Sequence, residues 1–173
     1  HIPRRLQRRV RQAPYEVTLD RDFTAVIDAC AAPSDQRTDT WINKDIRQLY
    51  IALHKMGFAH SIEVWLDGAL IGGLYGVALR AAFFGESMFS RKSDASKIAL
   101  VHLMARLRHG NFLLLDAQFT NDHLQQFGVT EIDRSEFQGR LAEALASDGD
   151  LHFDTPSAAL VMPYLDQLAK HQA

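Results

Sequence analysis

The sequence has little cysteine and no long apolar segment. Cys30 is the single cysteine among 173 residues, so no disulfide can form within the chain, and a reducing compartment is indicated. No apolar run approaches the ~20 residues of a membrane-spanning helix. The arginine-rich start is not followed by the apolar core of a signal peptide. These absences predict a single soluble domain in the cytoplasm.

Several kinds of catalytic site lack their signatures. The run Gly85-Glu86-Ser87-Met88-Phe89 begins like the nucleophile elbow of hydrolases, but Phe89 stands where that motif has a second glycine. The nearby pair Gly72-Gly73 lies inside a predicted strand and opens no helix, so no phosphate loop or dinucleotide fingerprint is present. The eight histidines form neither an H-x-H nor an H-E-x-x-H pair. We therefore expect no catalytic metal and no bound cofactor.

Positive charge is concentrated at the start of the chain. The whole chain has a net charge of −2, yet its first eleven residues contain five arginines: Arg4, Arg5, Arg8, Arg9 and Arg11. Such a block can contact nucleic-acid phosphates with salt-dependent affinity. The alternative is the solvated face of a helix anchored by Leu6 and Val10, and the pattern alone leaves both interpretations open.

Periodicity predicts an α+β fold with a mixed sheet flanked by helices. Helices are expected over 23–30, before Gly57, and over 95–109, 121–127 and 136–146. Strands are expected over 15–19, 61–66, 69–79, 81–90 and 129–132, with a buried central strand over 112–115. The Asp67-Gly68 pair indicates a hairpin, and Ser93 or Asp94 is expected to cap the helix from residue 95, whose free N–H groups favour an anion. Pro156 and Pro163 are expected to break any long element in residues 148–173, whose structure is otherwise ambiguous.

Polar residues at strand positions indicate where the chemistry lies. Asp116 and Gln118 are two residues apart at the end of an apolar run, so their side chains can share one face of the sheet. The alternative is a helix cap or an ordinary polar strand end. Glu86 interrupts an aromatic strand, and it either lies on a solvated face or meets a basic group.

The chain resembles the bacterial leucyl/phenylalanyl-tRNA–protein transferases over roughly residues 1 to 146. The resemblance depends on an ordered set of segments, each weak by itself but specific together: WI at 41–42, AHSIEVW at 59–65, GGLYGV at 72–77, FGESMFSR at 84–91, ASK at 95–97, LDAQ at 115–118 and NDHL at 121–124.

This resemblance implies an acetyltransferase-type (GNAT-like) fold that uses no coenzyme A. It implies an aminoacyltransferase that moves leucine or phenylalanine, and methionine less readily, from aminoacyl-tRNA to proteins. The acceptor is the α-amino group of an N-terminal arginine or lysine, and the product is marked for degradation. Asp116 and Gln118 match the family's catalytic pair, in which Asp116 polarises Gln118 and the Gln118 carbonyl oxygen takes a proton from the attacking amine.

The resemblance also assigns substrate-binding positions. Trp41 and Glu86 match positions that line the site for the acceptor peptide and the 3′ end of the tRNA. Four leucines match the apolar pocket for the transferred side chain, with plain core as the alternative: Leu74, Leu100, Leu103 and Leu107. The family has a small domain before the position matching His1, so we expect this chain to contain only part of the acceptor and tRNA sites.

The predicted organisation is a basic segment over 1–14, an acyltransferase-like catalytic domain over 15–146 and a tail of uncertain structure over 147–173. Two other functions are weighed against the aminoacyltransferase. One is a coenzyme-A-dependent N-acyltransferase, although 93–96 lacks the glycine of a pyrophosphate loop. The other is a non-catalytic module that binds tRNA or N-terminal arginine.

Overall fold

A mixed sheet organises the described part of the chain, which in this computed structural model comprises residues 2–12, 14–33, 40–117 and 127–171. Its strands have the order β1-β2-β3-β4-β5. The first four strands form an antiparallel meander, and β5 runs parallel to β4 after a crossover through a helix. The elements are: α1 (Arg4–Gln12), β1 (Glu16–Leu19), α2 (Phe23–Ala31), α3 (Lys44–Lys55), β2 (Ala59–Leu66), β3 (Ala69–Leu79), β4 (Ala82–Ser90), α4 (Ala95–His109), β5 (Leu114–Asp116), α5 (Arg134–Ala146) and α6 (Ser157–His171).

Local sequence rules account for most of these boundaries. Asp22 caps α2 by accepting from the Ala25 N–H, as expected for a short polar residue before an apolar periodic segment. Asp67 and Gly68 have φ values of 50° and 77°, the two positive values that a type I′ hairpin requires. The predicted α+β architecture of a mixed sheet flanked by helices is confirmed.

Helices cover both faces of the sheet. One face carries Leu74 of β3 and packs against α4, with α1 and α6 completing the same core. The other face carries Tyr75, the next residue along β3, and packs against α2 and α3. Because neighbouring strand residues point to opposite sides, this alternation assigns each predicted site residue of β3 to one face.

A β-bulge interrupts the pairing of β3 with β4. Tyr75 pairs with Ser87 while Gly76 pairs with Gly85, so Glu86 is an extra residue on β4. Gly76 makes this close approach feasible, because a Cβ there would lie 2.2 Å from the Phe84 carbonyl oxygen.

Three sequence-based expectations about this fold were wrong. The apolar run 112–115 is not a central strand: β5 covers 114–116, pairs within the described residues only with β4, and leaves Leu113 51% exposed. Residues 129–132 form no strand, because β propensity needs a neighbouring strand that the described chain does not bring to them. Pro163 does not break the last helix but lies within α6.

Burial of α6 explains how that helix tolerates a proline. Leu160, Val161 and Leu165 are buried, the last two in the core beneath α4. Arg106 of α4, 2% exposed, donates to the carbonyl oxygens of residues 151, 152 and 155 and to the Ser157 hydroxyl over 2.5–3.1 Å. The final segment is thus attached to α4 by packing and by four hydrogen bonds. No helix in the described ranges has the length and apolar character needed to cross a bilayer.

Candidate active site

The bulge brings Glu86 to the hydroxyl of Tyr50 on α3. Tyr50 donates a hydrogen bond to the Glu86 carboxylate, and burial of the phenol together with this negative charge raises the pKa of Tyr50 above its ordinary value. Glu86 is half-buried, so the solvated-face interpretation is too simple. A carboxylate that accepts from a neutral donor can also accept charge-assisted hydrogen bonds from a cationic ligand.

Aromatic rings connect this carboxylate to the surface. Trp41, 46% exposed, packs edge-on against Tyr50 with ring centroids 6.2 Å apart. Tyr50 packs in the same way on Tyr75 at 5.1 Å, and Tyr75 packs on Phe23 at 5.8 Å. Trp41 and Glu86, 45 positions apart in the sequence, therefore flank one residue, Tyr50.

Tyr50 is a residue of the candidate site that sequence reasoning missed. Its spacing with Ile46, Leu49 and Leu53 indicates an amphipathic helix, and that pattern accounts for an apolar ring without reference to its hydroxyl. The one hint in the sequence is that a tyrosine, unlike a phenylalanine, has a hydroxyl that needs a hydrogen-bond partner when it is partly buried. The partner, Glu86, is identifiable only from the structure.

Asp116 ends β5 beside the strand that carries Glu86. Its register partner on β4 is Phe84, so Asp116 lies on the face of the sheet that Phe84 occupies. Glu86 is two residues further along β4, which corresponds to a Cα separation from Asp116 of about 8 Å. Gln118 lies outside the described residues, and its predicted pairing with Asp116 stays a prediction.

The four leucines lie on the opposite side of the sheet. Leu74, Leu100, Leu103 and Leu107 are all buried in the core between the sheet and α4. The aromatic rings and Glu86 lie on the side of α2 and α3. The structure does not bring the leucines to Glu86, and their assignment to an aminoacyl pocket stays a prediction.

The start of α4 is not an open anion site. Asp94 occupies the cap position with φ of 65°, but its side chain makes no cap hydrogen bond and instead contacts Arg9 at 2.7 Å and Lys97 at 3.4 Å. The Ala95 N–H donates to the Lys92 carbonyl, and the Ser96 N–H donates to the Ser90 hydroxyl. Asp94 is therefore the cap residue by position, as expected, but without a side-chain cap hydrogen bond. The N–H groups of Ala95 and Ser96, where an anion was expected, bond to the protein's own groups.

The arginines of α1 divide into two groups. Arg9 pairs with Asp94, and Arg11 pairs with Asp166 of α6 at 2.7 Å. Among the described residues, Arg4, Arg5 and Arg8 have no ion pair and are exposed. A cavity of about 280 Å³ lies against this helix, and its lining includes Arg5, Arg8 and Arg9. The apolar residues Leu6 and Val10 anchor the opposite side of α1 in the core.

Asp20, His54 and His60 are the described residues whose ligand atoms come close enough together for a metal ion. Each of them already has hydrogen-bond partners. His60 lies 2.7 Å from Asp20 through Nδ1 and 3.0 Å from the Gly57 carbonyl through Nε2, while His54 Nδ1 lies 2.8 Å from the Ala59 carbonyl. A metal ion would have to displace these contacts, so the cluster serves to join the β1–α2 turn to β2.

A larger cavity of about 500 Å³ lies at the far edge of the sheet from Asp116. It extends between β1 and the segment 153–158, and His102 and Arg106 of α4 contribute to its lining. Burial lowers the pKa of His102 to about 4, so this imidazole is neutral near neutral pH. The cavity does not include any of the predicted site residues.

These elements define the class of the protein. Four antiparallel strands followed by a helix and a parallel fifth strand form an acetyltransferase-type fold, with a half-buried carboxylate (Glu86) and an exposed indole (Trp41) on either side of Tyr50. Among solved structures, a ribosomal-protein-alanine N-acetyltransferase from Brucella melitensis biovar Abortus 2308 is 14% identical. The match covers 69% of this chain and 93% of the acetyltransferase chain, with a TM-score of 0.48.

The family profile described as leucyl/phenylalanyl-tRNA protein transferase matches residues 1–142, and the chain belongs to this family. The leucyl/phenylalanyl-tRNA–protein transferase of Phenylobacterium zucineum (strain HLK1) is 59% identical over 152 residues, which are 88% of this chain and 69% of that protein. The protein of the same description from Hyphomonas neptunium (strain ATCC 15444) is 60% identical over 152 residues, 88% of this chain and 59% of that protein.

Family membership confirms the predicted resemblance and the predicted enzyme class. The chain is a member of an acyltransferase family whose curated relatives are named for aminoacyl-tRNA and protein as substrates. The chain spans 69% and 59% of the lengths of these two relatives. The particular substrates and the roles of single residues therefore require separate argument.

Proposed function

We propose that this chain carries the transfer site of an aminoacyltransferase that uses aminoacyl-tRNA as donor. The transferred residue is leucine or phenylalanine, and methionine less readily. The acceptor is the α-amino group of a protein that begins with arginine or lysine, and the modification marks that protein for degradation. The proposal is carried by one observation, the half-buried Glu86 carboxylate beside Tyr50 and the exposed ring of Trp41.

Glu86 has the chemistry to recognise an N-terminal arginine. A carboxylate accepts the parallel N–H donors of a guanidinium, or a lysine ammonium, in charge-assisted hydrogen bonds. The Tyr50 hydroxyl orients this carboxylate from one side. Trp41 offers an exposed indole face on which a guanidinium or the terminal adenine of the tRNA can stack.

The reaction itself makes a modest demand on the protein. The amine nitrogen attacks the ester carbonyl carbon, the bond from that carbon to the ribose oxygen breaks, and the ribose hydroxyl leaves with a proton. An α-amino group has a pKa near 8, so about a tenth of it is already neutral at pH 7. Holding amine and ester in contact can contribute ~7–11 kcal/mol to the acceleration.

Asp116 and Gln118 are proposed to complete this alignment. Asp116 polarises the Gln118 amide, and the Gln118 carbonyl oxygen accepts a proton from the attacking amine. Support comes from Asp116 lying at the tip of β5, on the strand next to Glu86. An amide is a weak base, so orientation of the amine is the larger contribution of this pair.

The transferred side chain is proposed to contact the edge of the leucine cluster at Leu74, Leu100, Leu103 and Leu107. Such a pocket discriminates coarsely, because one methylene changes transition-state binding by about 1–3 kcal/mol. Coarse discrimination agrees with an enzyme that accepts several large apolar amino acids as the transferred residue.

The exposed arginines of α1 are proposed to contact tRNA phosphates. Arg5 and Arg8 line the cavity beside α1, whereas Arg11 is occupied by Asp166. We expect Arg5→Gln and Arg8→Gln each to reduce the slope of log affinity against log salt by about 1. Arg11→Gln serves as the matched control and should leave that slope nearly unchanged. Equal effects of all three substitutions would contradict the assignment.

A transfer assay tests the proposed function. The chain is incubated with radiolabelled Phe-tRNA and a protein that begins with arginine, and the Phenylobacterium zucineum relative serves as the positive control. Label should appear on the acceptor and should be absent when the first residue is acetylated. No transfer by this chain, under conditions in which the positive control is active, would refute the proposal.

The same preparations separate the other two functions. A coenzyme-A-dependent enzyme requires an anion site at the start of α4, where Asp94 now contacts Arg9 and Lys97. Thermal stabilisation by acetyl-coenzyme A would support that function against ours. Affinity for arginine peptides that is weakened by Glu86→Gln, without any turnover, would indicate a binding module.

A further inference from the structure

Strand β2 buries polar side chains that the proposed chemistry does not use. Ser61 and Glu63 are nearly or fully inaccessible, with Glu63 at 0% exposure. A buried carboxylate is costly unless hydrogen bonds satisfy it. Its partners therefore identify the part of the fold that it stabilises.

Glu63 is held by three neighbours from two segments of the chain. The Ser61 hydroxyl donates to one carboxylate oxygen at 2.6 Å, and the Thr18 hydroxyl donates to the other at 2.6 Å. The backbone N–H of Asp22, the residue that caps α2, donates to Glu63 at 3.3 Å. The Trp65 indole donates to Thr18 at 2.8 Å.

A second set of contacts fixes the same turn. Asp20, which has a φ of 56°, accepts from the Ser61 N–H at 2.8 Å and lies 2.7 Å from His60. Polar groups of β2 thus hold residues 18–22 at both ends. The entry of the chain into α2 is set by β2 rather than by the turn alone.

The first residue of α2 contacts the aromatic rings of the candidate active site. Phe23 stacks on His54 of α3 with ring centroids 4.4 Å apart and an interplanar angle of 5°. It also packs edge-on against Tyr75, which in turn contacts Tyr50. A displacement of Phe23 would therefore be transmitted to α3 and to Tyr50 through close-packed rings.

We propose that Glu63 is a positioning residue for the acceptor site. By fixing the start of α2 it holds Phe23, and through Phe23 and Tyr75 it sets the placement of Tyr50 and Trp41 around Glu86. Glu63 touches no substrate in this arrangement. The expected change in KM rests on the proposed function, whereas the expected displacement of Trp41 does not.

The test compares Glu63→Gln with Phe23→Leu and with a control of similar burial on the other side of the sheet, Val161→Ala in α6. Each protein is labelled with 5-fluorotryptophan, and the fluorine NMR signal of Trp41 is assigned by its loss in Trp41→Phe. The Trp41 signal should shift in the first two variants and stay in place in the control. An unshifted signal in folded Glu63→Gln would overturn the proposal.

Steady-state kinetics provide the second measurement. A positioning role predicts that KM for an arginine peptide rises about threefold or more in Glu63→Gln, while kcat stays within about twofold. The double variant with Phe23→Leu should be no worse than the poorer single variant. A loss confined to kcat, with KM for the peptide unchanged, would indicate a smaller folded fraction and overturn the proposal.

Two features of the design keep the outcomes separate. If Glu63→Gln does not fold, Thr18→Val is used in its place in both measurements. This substitution on the edge strand β1 removes one hydrogen-bond donor to the Glu63 carboxylate. If this chain shows no transfer at all, the proposed function fails by itself. The fluorine signal of Trp41 still decides whether Glu63 positions the aromatic rings.

Discussion

Charge recognition by Glu86 can be isolated by changing one atom group on each side of the contact. Glu86→Gln removes the negative charge but keeps the shape of the side chain and an oxygen that can accept from Tyr50. Replacing the N-terminal arginine of an acceptor peptide by citrulline removes the positive charge with little change in shape. The four combinations of protein and peptide form a double-mutant cycle. Its coupling free energy measures the interaction between the two charges, because all other effects of each change cancel.

The expected size follows from the burial of the carboxylate. Glu86 is half-buried and accepts from the Tyr50 hydroxyl, so the carboxylate is held in place before the acceptor binds. A hydrogen bond to a charged group contributes about 1.5–3 kcal/mol. At 1.4 kcal/mol per factor of ten, Glu86→Gln should lower kcat/KM for the arginine peptide about 10- to 150-fold.

The assay measures initial rates of transfer from Phe-tRNA at low peptide concentration, with wild-type and Glu86→Gln proteins and both peptides. The citrulline peptide should lose less than about threefold on Glu86→Gln, since no charge pair is present to break. Tyr50→Phe serves as a further comparison and should cost about 2- to 10-fold with arginine, because only a neutral donor is lost. Equal losses with arginine and citrulline would refute the assigned role of Glu86.

Three further predictions concern stability. Arg106→Met should lower the free energy of unfolding by about 3–5 kcal/mol in urea titrations, because four acceptors in residues 151–157 lose their donors, and a loss below about 1 kcal/mol would contradict this. His102 has a folded-state pKa of about 4 against an ordinary 6.5, so the unfolded chain binds the extra proton. The free energy of unfolding should fall by about 1.4 kcal/mol per pH unit as the pH drops from 6.5 towards 4, and His102→Gln should remove this contribution. The same pH dependence in wild type and His102→Gln would disprove the assignment to His102. Gly76→Ala should cost about 1–3 kcal/mol, because the new Cβ meets the Phe84 carbonyl oxygen, and a neutral effect on the melting temperature would show that the bulge adapts.

Much of the fold followed from local patterns in the sequence. The bounds of β3 and α4, the hairpin at Asp67-Gly68 and the end of α3 before Gly57 all agree with the expectations. These features depend on side-chain periodicity and on residues that adopt positive φ, and both act over a few neighbouring positions. The position of residues 112–115 was misjudged because an apolar run indicates burial but does not show whether the strand has neighbours on both sides.

The candidate site was only partly predictable for the same reason. Trp41 and Glu86 came from an ordered resemblance, whereas the bulge that raises Glu86 out of the ladder and the hydroxyl of Tyr50 came from the structure. The ion pair between Asp94 and Arg9 joins positions 85 residues apart, and it places a carboxylate of the protein where a bound anion was expected. No local pattern contains such a contact.

The sequence by itself determined the family, most of the element types and the identity of the groups able to carry charge, because these depend on residue type and short-range spacing. The tertiary structure decided which of those groups face one another. Burial and hydrogen bonding depend on what lies opposite a residue, and packing of α2 and α3 against β3 and β4 places Tyr50 opposite Glu86. That placement follows from the whole sheet, since a strand shifted by one residue would turn its side chains to the other face.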